Sequence, residues 1–214
     1  MSATDRSTVV ERIRTGIRGR HAELEGTPFS TAMLAGTLPL DRYVDQLAAY
    51  RKVLEALEAE LSRATGPCVT SVWSADLVKL PLIDRDLMHF AEDGVFPASV
   101  AAGPADAFVR EIRAAAASDP RALLGFLYVL EGSTMGGMIL RRCVAEAYGL
   151  CDTDGVAYYA SGDRERWARF TARLNAALPG PGEQDGVIAA AGRAYHHIAA
   201  ISVALSTGLG AAVA

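Results

Sequence analysis

Residues 131–137 read Glu-Gly-Ser-Thr-Met-Gly-Gly inside an otherwise continuous helical pattern. Each glycine in a helix interior costs about 1 kcal/mol relative to alanine, so Gly132, Gly136 and Gly137 together cost roughly 3 kcal/mol. A chain this rich in alanine has an obvious cheaper choice at all three positions. Glycines retained there imply that something lies close against the helix backbone. Two candidates fit: a flat ligand, or a second helix.

The rest of the chain is helical in period almost throughout. A first helix spans about 7–25, with Val10, Ile13, Ile17 and Leu24 on one side. Thr27-Pro28 caps and opens a short helix to about residue 35. A long helix covers about 40–63, with Tyr43, Leu47, Tyr50, Leu54, Leu57 and Leu61 at three- and four-residue steps. Gly66-Pro67 ends it. Residues 73–80 and 82–92 read as shorter pieces separated by Pro81, and 104–117 as another helix. Asp119-Pro120 starts the glycine-bearing helix, which runs to about residue 148. Residues 149–162 read as a loop with a strand-like piece at 156–159. Helices over 164–178 and 184–205 follow, with the Pro-Gly-Pro-Gly break at 179–182 between them. The expectation is one all-α domain over residues 1–214, a helical bundle of about eight helices.

Composition narrows the function. Half the residues are hydrophobic, 21% are charged, and the formal charge is −4, which argues against general nucleic-acid binding. Cys68, Cys143 and Cys151 form no CxxC pair. They read as small core residues in a reducing, cytoplasmic setting. The opening residues MSATDRSTVVERIR lack an apolar core, so no secretory leader is expected. No uninterrupted apolar run reaches about 18 residues, so no membrane span is expected. The final stretch, 198–214, is apolar but broken by polar residues and by Gly208 and Gly210.

Several side chains have the right chemistry to bind. His21 and Glu25 are four residues apart and share a helical face. A metal-ligating His commonly donates its other ring N–H to a carboxylate, which is what Glu25 offers. On spacing alone, a surface pair worth a few tenths of a kcal/mol is the plainer reading. Arg14 lies two turns before His21 and projects from nearly the same face. Arg166, Arg169 and Arg173 form a second basic group on a helix whose buried side is Trp167 and Phe170. Asp86 and His89 stand at i and i+3, a spacing used by di-metal bundles. No second pair matches them, so they read as a solvated face. Ser133 lacks the strand-turn-helix setting of a nucleophile elbow.

Two blocks in this order resemble heme oxygenase, particularly the bacterial biliverdin-producing type. The first is His21-Ala-Glu-Leu-Glu25 with Phe29, Tyr43 and the Leu-rich helix ending Glu55-Ala-Leu-Glu58-Ala-Glu60. The second is Tyr128-Val-Leu-Glu-Gly-Ser-Thr-Met-Gly-Gly137, which resembles the family's glycine-rich distal helix. Residues 166–170 resemble the later helix at the heme edge. The resemblance implies that His21 ligates heme iron, with Glu25 as its hydrogen-bond partner. It implies a distal wall from Gly132, Met135, Gly136 and Gly137, and propionate contacts from Arg14 and from Arg166 or Arg169. Ser133 stands where the animal enzymes carry an Asp that organises distal waters. With Gly132 and Gly136, it is the residue expected nearest the chemistry.

The implied activity is oxidative cleavage of heme, both substrate and cofactor, to biliverdin, carbon monoxide and ferrous iron. Dioxygen is the co-substrate. Electrons come from a partner such as ferredoxin or a flavoprotein reductase, because the chain carries no dinucleotide-binding fingerprint. The alternative is a heme- or bilin-binding protein of the same fold without turnover.

Overall fold

The computed structural model describes residues 7–209. Residues 1–6 of the stretch read for a leader, and residues 210–214 of the final apolar stretch, lie outside them. Among the described residues there are nine α-helices and no strand. They are α1 (Val9–Glu25), α2 (Pro28–Leu34), α3 (Leu40–Arg63), α4 (Pro67–Thr70), α5 (Leu80–Glu92), α6 (Ala102–Ser118), α7 (Leu123–Tyr148), α8 (Arg164–Ala177) and α9 (Pro181–Leu205).

Helix starts follow local chemistry. At α1, the Thr8 hydroxyl accepts from the Glu11 N–H, and Glu11 accepts in turn from the Thr8 N–H. This reciprocal box satisfies two N–H groups that helix geometry leaves without partners. Thr27 caps α2 and Asp163 caps α8 in the simpler way. The start of α5 has no cap of its own. Instead Glu58 of α3 accepts from the N–H groups of Lys79 and Leu80, at 2.7 and 3.1 Å.

This tertiary cap accounts for one departure from the expected pattern. Pro81 does not separate two helices; it sits in the first turn of α5, where a missing N–H costs nothing. Residues 75–77 form only a single 3-10 turn. One-turn α4 likewise begins at Pro67, which was expected only to end α3.

Helix α7 runs through the middle of the bundle and packs on α2, α3, α6, α8 and α9. With its 3-10 lead-in, it forms a stretch, Pro120–Tyr148, long and apolar enough to cross a membrane, although no single apolar run in it does so. In the window that meets this test, 61% is buried against the other helices, as expected of a core helix. Gly125 marks its closest crossing with α9. A Cβ there would overlap the Val187 carbonyl oxygen and stand 2.8 Å from Ala190 Cβ. The second-helix explanation therefore holds on α7 most sharply for a glycine outside the run.

The strand-like reading of residues 156–159 is incorrect. The segment is turn followed by a 3-10 turn at Tyr159–Ser161. Its run of apolar residues reflects burial of Val156, Ala157, Tyr158 and Tyr159 without sheet partners. Asp86 supplies what a neighbouring strand would have supplied. Its carboxylate accepts from the Ala157 and Tyr158 N–H groups, at 2.7 and 2.8 Å. Asp86 is thus fully buried, not part of a solvated face. Tyr43 fixes the same loop by donating to the Gly155 carbonyl at 2.8 Å. Gly155 has φ +73°, and Phe90 fills the space where a side chain would go. Cys151 is exposed rather than core; Cys68 and Cys143 are half-buried.

Candidate functional site

A cleft opens between α1 and α2 on one side and α7 on the other. His21, Leu24 and Glu25 enter from α1, and Phe29, Met33 and Leu34 from α2. Facing them are Val129, Gly132, Ser133, Gly136, Ile139 and Leu140 of α7. The lining is mostly apolar with few polar groups, the usual make-up of a small-molecule site. A second, more open space shares His21, Val129, Gly132 and Tyr195 with it, and is bounded by Arg14, Arg18, Tyr128 and Trp167.

His21 and Glu25 are both solvent-accessible at the cleft, with His21 Nδ1 3.4 Å from Glu25 Oε1. That leaves the other ring nitrogen, Nε2, without a claim from Glu25. The imidazole leans on Tyr195 of α9, ring centroids 6.0 Å apart. Burial pushes the Tyr195 phenol up to about 12, so it stays neutral beside the imidazole.

The glycines of α7 divide by what they touch. A Cβ on Gly136 would meet nothing within 4 Å, so that backbone is bare toward the cleft. A Cβ on Gly132 would stand 3.3 Å from the Trp167 ring of α8. Gly132 therefore borders the cleft while packing on α8. Gly137 faces away: a Cβ there would lie 3.1 Å from the Tyr159 ring and carbonyl. Met135 is half-buried and does not line the cleft. The expected wall of Gly132, Met135, Gly136 and Gly137 is in this geometry Gly132 and Gly136, joined by Ser133, Ile139 and Leu140. Helical period explains the split, because residues 132, 133 and 136 share a face and residues 135 and 137 lie off it.

The expected basic residues also separate. Arg14 borders the second space beside His21 and sits against the Tyr128 phenol, partly offsetting the upward push that burial gives that group. Arg166 is turned inward, with Nε 2.7 Å from Glu131 and its side chain 12% exposed. Arg169 is exposed and lies 3.8 Å from Asp76 and 3.9 Å from Glu165. Of the three, only Arg14 borders the joined cavities. Among the described residues no group of three or more His, Cys, Asp or Glu is placed to hold a metal ion.

The cleft's shape and chemistry fit a flat macrocycle with a central metal. One wall offers an imidazole. The other offers backbone bare of Cβ at Gly136, a cradle that any other residue would fill. Apolar side chains cover the rest, and Arg14 supplies positive charge at the rim.

A sequence model of the heme oxygenase family matches residues 7–202. The chain belongs to the heme oxygenase family.

The named relatives are heme oxygenases, enzymes that cleave heme. The chain is 25% identical over 175 residues to heme oxygenase 1 of Nostoc sp., covering 80% of this chain and 73% of that one. It is 28% identical over 167 residues to the heme oxygenase of Xanthomonas campestris, covering 78% and 92%. Its fold matches that of heme oxygenase-2 from Synechocystis sp., solved in complex with heme and NO, at TM-score 0.85 and 20% identity over 97% of this chain and 88% of that one. The heme oxygenase of Leptospira interrogans superposes at TM-score 0.81, with 21% identity over 92% and 99%.

The cleft is also lined by Gln46 and Tyr159, which no motif in the sequence singles out. Gln46 of α3 is buried at the cleft and accepts from the Tyr159 hydroxyl at 2.7 Å. It also lies beside Tyr50, whose phenol burial raises to about 12. A signal for Gln46 existed: positions 43, 46, 47 and 50 share one helical face, and Gln46 is the polar member of that stripe. Tyr159 had none, because its place at the cleft depends on a loop held by Asp86.

Proposed function

We propose that heme enters the α1–α7 cleft with its iron on His21 Nε2 and one face against Gly132 and Gly136. The observation that carries this is the opposition of His21 and the bare Gly136 backbone across one apolar cleft. As substrate, heme brings its own iron, at which dioxygen is activated.

The chain's part is binding, orientation and proton handling. Glu25, with Oε1 3.4 Å from His21 Nδ1, is the acceptor toward which an Nδ1–H would point, the tautomer that leaves Nε2 free to coordinate. Gly136 lets the helix backbone approach the macrocycle face. Leu24, Phe29, Met33 and Leu140 exclude water from its faces. Arg14 pairs with a carboxylate at the rim, since a guanidinium suits that geometry.

In this reading Ser133 holds a water rather than delivering a proton itself. Its hydroxyl already donates to the Leu130 carbonyl at 2.7 Å. What remains on Oγ is acceptor capacity. A water donating to Ser133 Oγ would sit on the Gly132–Gly136 side of the cleft, and that water is the proton carrier of this reading. Electrons come from a separate donor of the ferredoxin or flavoprotein reductase class. Three free cysteines without a disulfide support a reducing cytoplasmic setting.

Hemin titration of the purified protein, with His21→Ala beside it, tests the assignment. Wild type is expected to give a histidine-ligated iron spectrum and to form a bilin under reductant and dioxygen. His21→Ala is expected to lose that spectrum. An iron spectrum unchanged by the substitution would place the ligand elsewhere.

A further inference from the structure

Beneath the glycine-bearing stretch of α7 lies a charged cluster that the reaction as described leaves unused. Glu131 immediately precedes Gly132, and its carboxylate is fully buried. Lys79 Nζ stands 2.8 Å from one oxygen and Arg166 Nε 2.7 Å from the other. The Lys79 side chain is only 4% exposed. Each cation also holds a backbone carbonyl: Lys79 donates to Leu77 at 3.0 Å, and Arg166 to Ser161 at 2.5 Å. One arm thus comes from the residue before α5 and the other from the first turn of α8.

Stability does not account for such a cluster. Taking three charges out of water costs about as much as their mutual attraction returns, so apolar residues of similar volume would serve a core as well. What apolar packing lacks is a fixed direction and register. Here the register matters. Trp167, next to Arg166, meets the Gly132 backbone. Gly162 crosses α7 so closely that a Cβ there would overlap the Thr134 carbonyl oxygen. The loop and the start of α8 therefore form a plate behind residues 131–137, bolted to it at Glu131. Burial draws the Lys79 ammonium down and the Glu131 carboxylate opposes that pull; without that carboxylate both cations lose the partner they share.

We propose that Glu131 is a positioning residue for heme cleavage: through Lys79 and Arg166 it sets the depth and rotation of the Gly132–Gly136 wall, and so which edge of the macrocycle is attacked. The proposal rests on the reading of the α1–α7 cleft as the heme site. Glu131 does not line that cleft and touches no substrate.

The test compares full-length wild type, Glu131→Gln and Arg166→Lys. Each is titrated with hemin, and its bilin products are separated by isomer after turnover with a chemical reductant. Glu131→Gln keeps the shape and removes the charge. Arg166→Lys keeps the charge but cannot reach Glu131 and Ser161 together. Both are expected to bind hemin with the wild-type iron spectrum, to form bilin about 10-fold more slowly, and to shift the isomer ratio, because small misplacements at a reacting centre are costly. Wild-type rate and isomer ratio in both variants would overturn the proposal. Loss of the iron spectrum would also overturn it, making Glu131 part of the binding pocket. Should Glu131→Gln fail to fold, Arg166→Lys decides by the same isomer ratio. Failure of the underlying site reading shows separately, in a wild-type iron spectrum indifferent to His21→Ala.

Discussion

Gly125 of α7 crosses Val187 of α9 so closely that a Cβ on the glycine would overlap the valine's carbonyl oxygen. Eleven residues on, along the same helix, a Cβ on Gly136 would meet nothing within 4 Å. One glycine is there for another helix, the other for open space in a cleft.

Substitutions at the two are expected to act in opposite directions. Gly125→Ala forces α7 and α9 apart, and overpacking of this kind costs about 1–3 kcal/mol or more. Chemical denaturation should show a lowered midpoint. Gly136→Leu gains helix propensity, up to about 1 kcal/mol, and should leave the unliganded protein as stable as wild type or more so. Hemin binding should be lost. Retained hemin binding in Gly136→Leu would end the close-approach argument.

Much of this was legible in the sequence because helices announce themselves locally. Caps such as Thr27 and Asp163, and the three- and four-residue steps of α3, depend on neighbours along the chain. His21 with Glu25, and Gly132 with Gly136, are legible for the same reason, since each pair sits on one helix face. What was not legible depends on residues far apart in sequence. Pro81 became a helix start because Glu58 caps α5 from α3. Residues 156–159 became a turn because Asp86 takes two of their N–H groups. Arg166 has the spacing of a rim residue, but Glu131, 35 positions earlier, holds it inward. Gly137 belongs to the same motif as Gly136, yet one residue of helical rotation turns it onto Tyr159.

Asp86 should give the fold a recognisable pH dependence. Burial raises its carboxyl from 3.8 to about 6, against two backbone N–H bonds that pull the other way. The folded value lies above the unfolded one, so its contribution to stability is fully present below about pH 4. It is lost as pH rises through about 6. A shift of this size corresponds to about 3 kcal/mol. Asp86→Asn does not titrate. The stability difference between wild type and Asp86→Asn should therefore move in favour of wild type as pH falls from 7 to 4. A difference independent of pH over that range would show that Asp86 ionises normally.

Tyr159 and Gln46 form a buried pair at the floor of the cleft. Tyr159→Phe removes the hydroxyl and leaves the Gln46 oxygen without its donor. A buried acceptor stranded this way costs about 1–3 kcal/mol. The loss should appear in the denaturation midpoint of the unliganded protein. Substituting Gln46→Leu in the same chain removes the stranded group as well, and should recover part of the loss. If the double substitution is worse than the sum of the singles, the pair is not the unit that holds the floor.

Arg14 and Arg166 are both positive and both fall in stretches that resemble heme contacts, but the structure gives them different surroundings. Arg14 is exposed beside the cavity that His21 shares, free to meet a carboxylate. Arg14→Ala should weaken hemin binding by about 10-fold, the scale of one charge-assisted contact near a surface. The penalty should shrink as salt is raised, because exposed charges are screened. Stability of the unliganded protein should hardly change. Arg166→Ala leaves one oxygen of the buried Glu131 carboxylate without its partner and should lower stability before any hemin is added, by an amount that salt hardly alters. Hemin titrations at low and high salt, run beside denaturation curves, separate the two. Equal salt dependence for both variants would mean that Arg166 leaves Glu131 to meet the ligand.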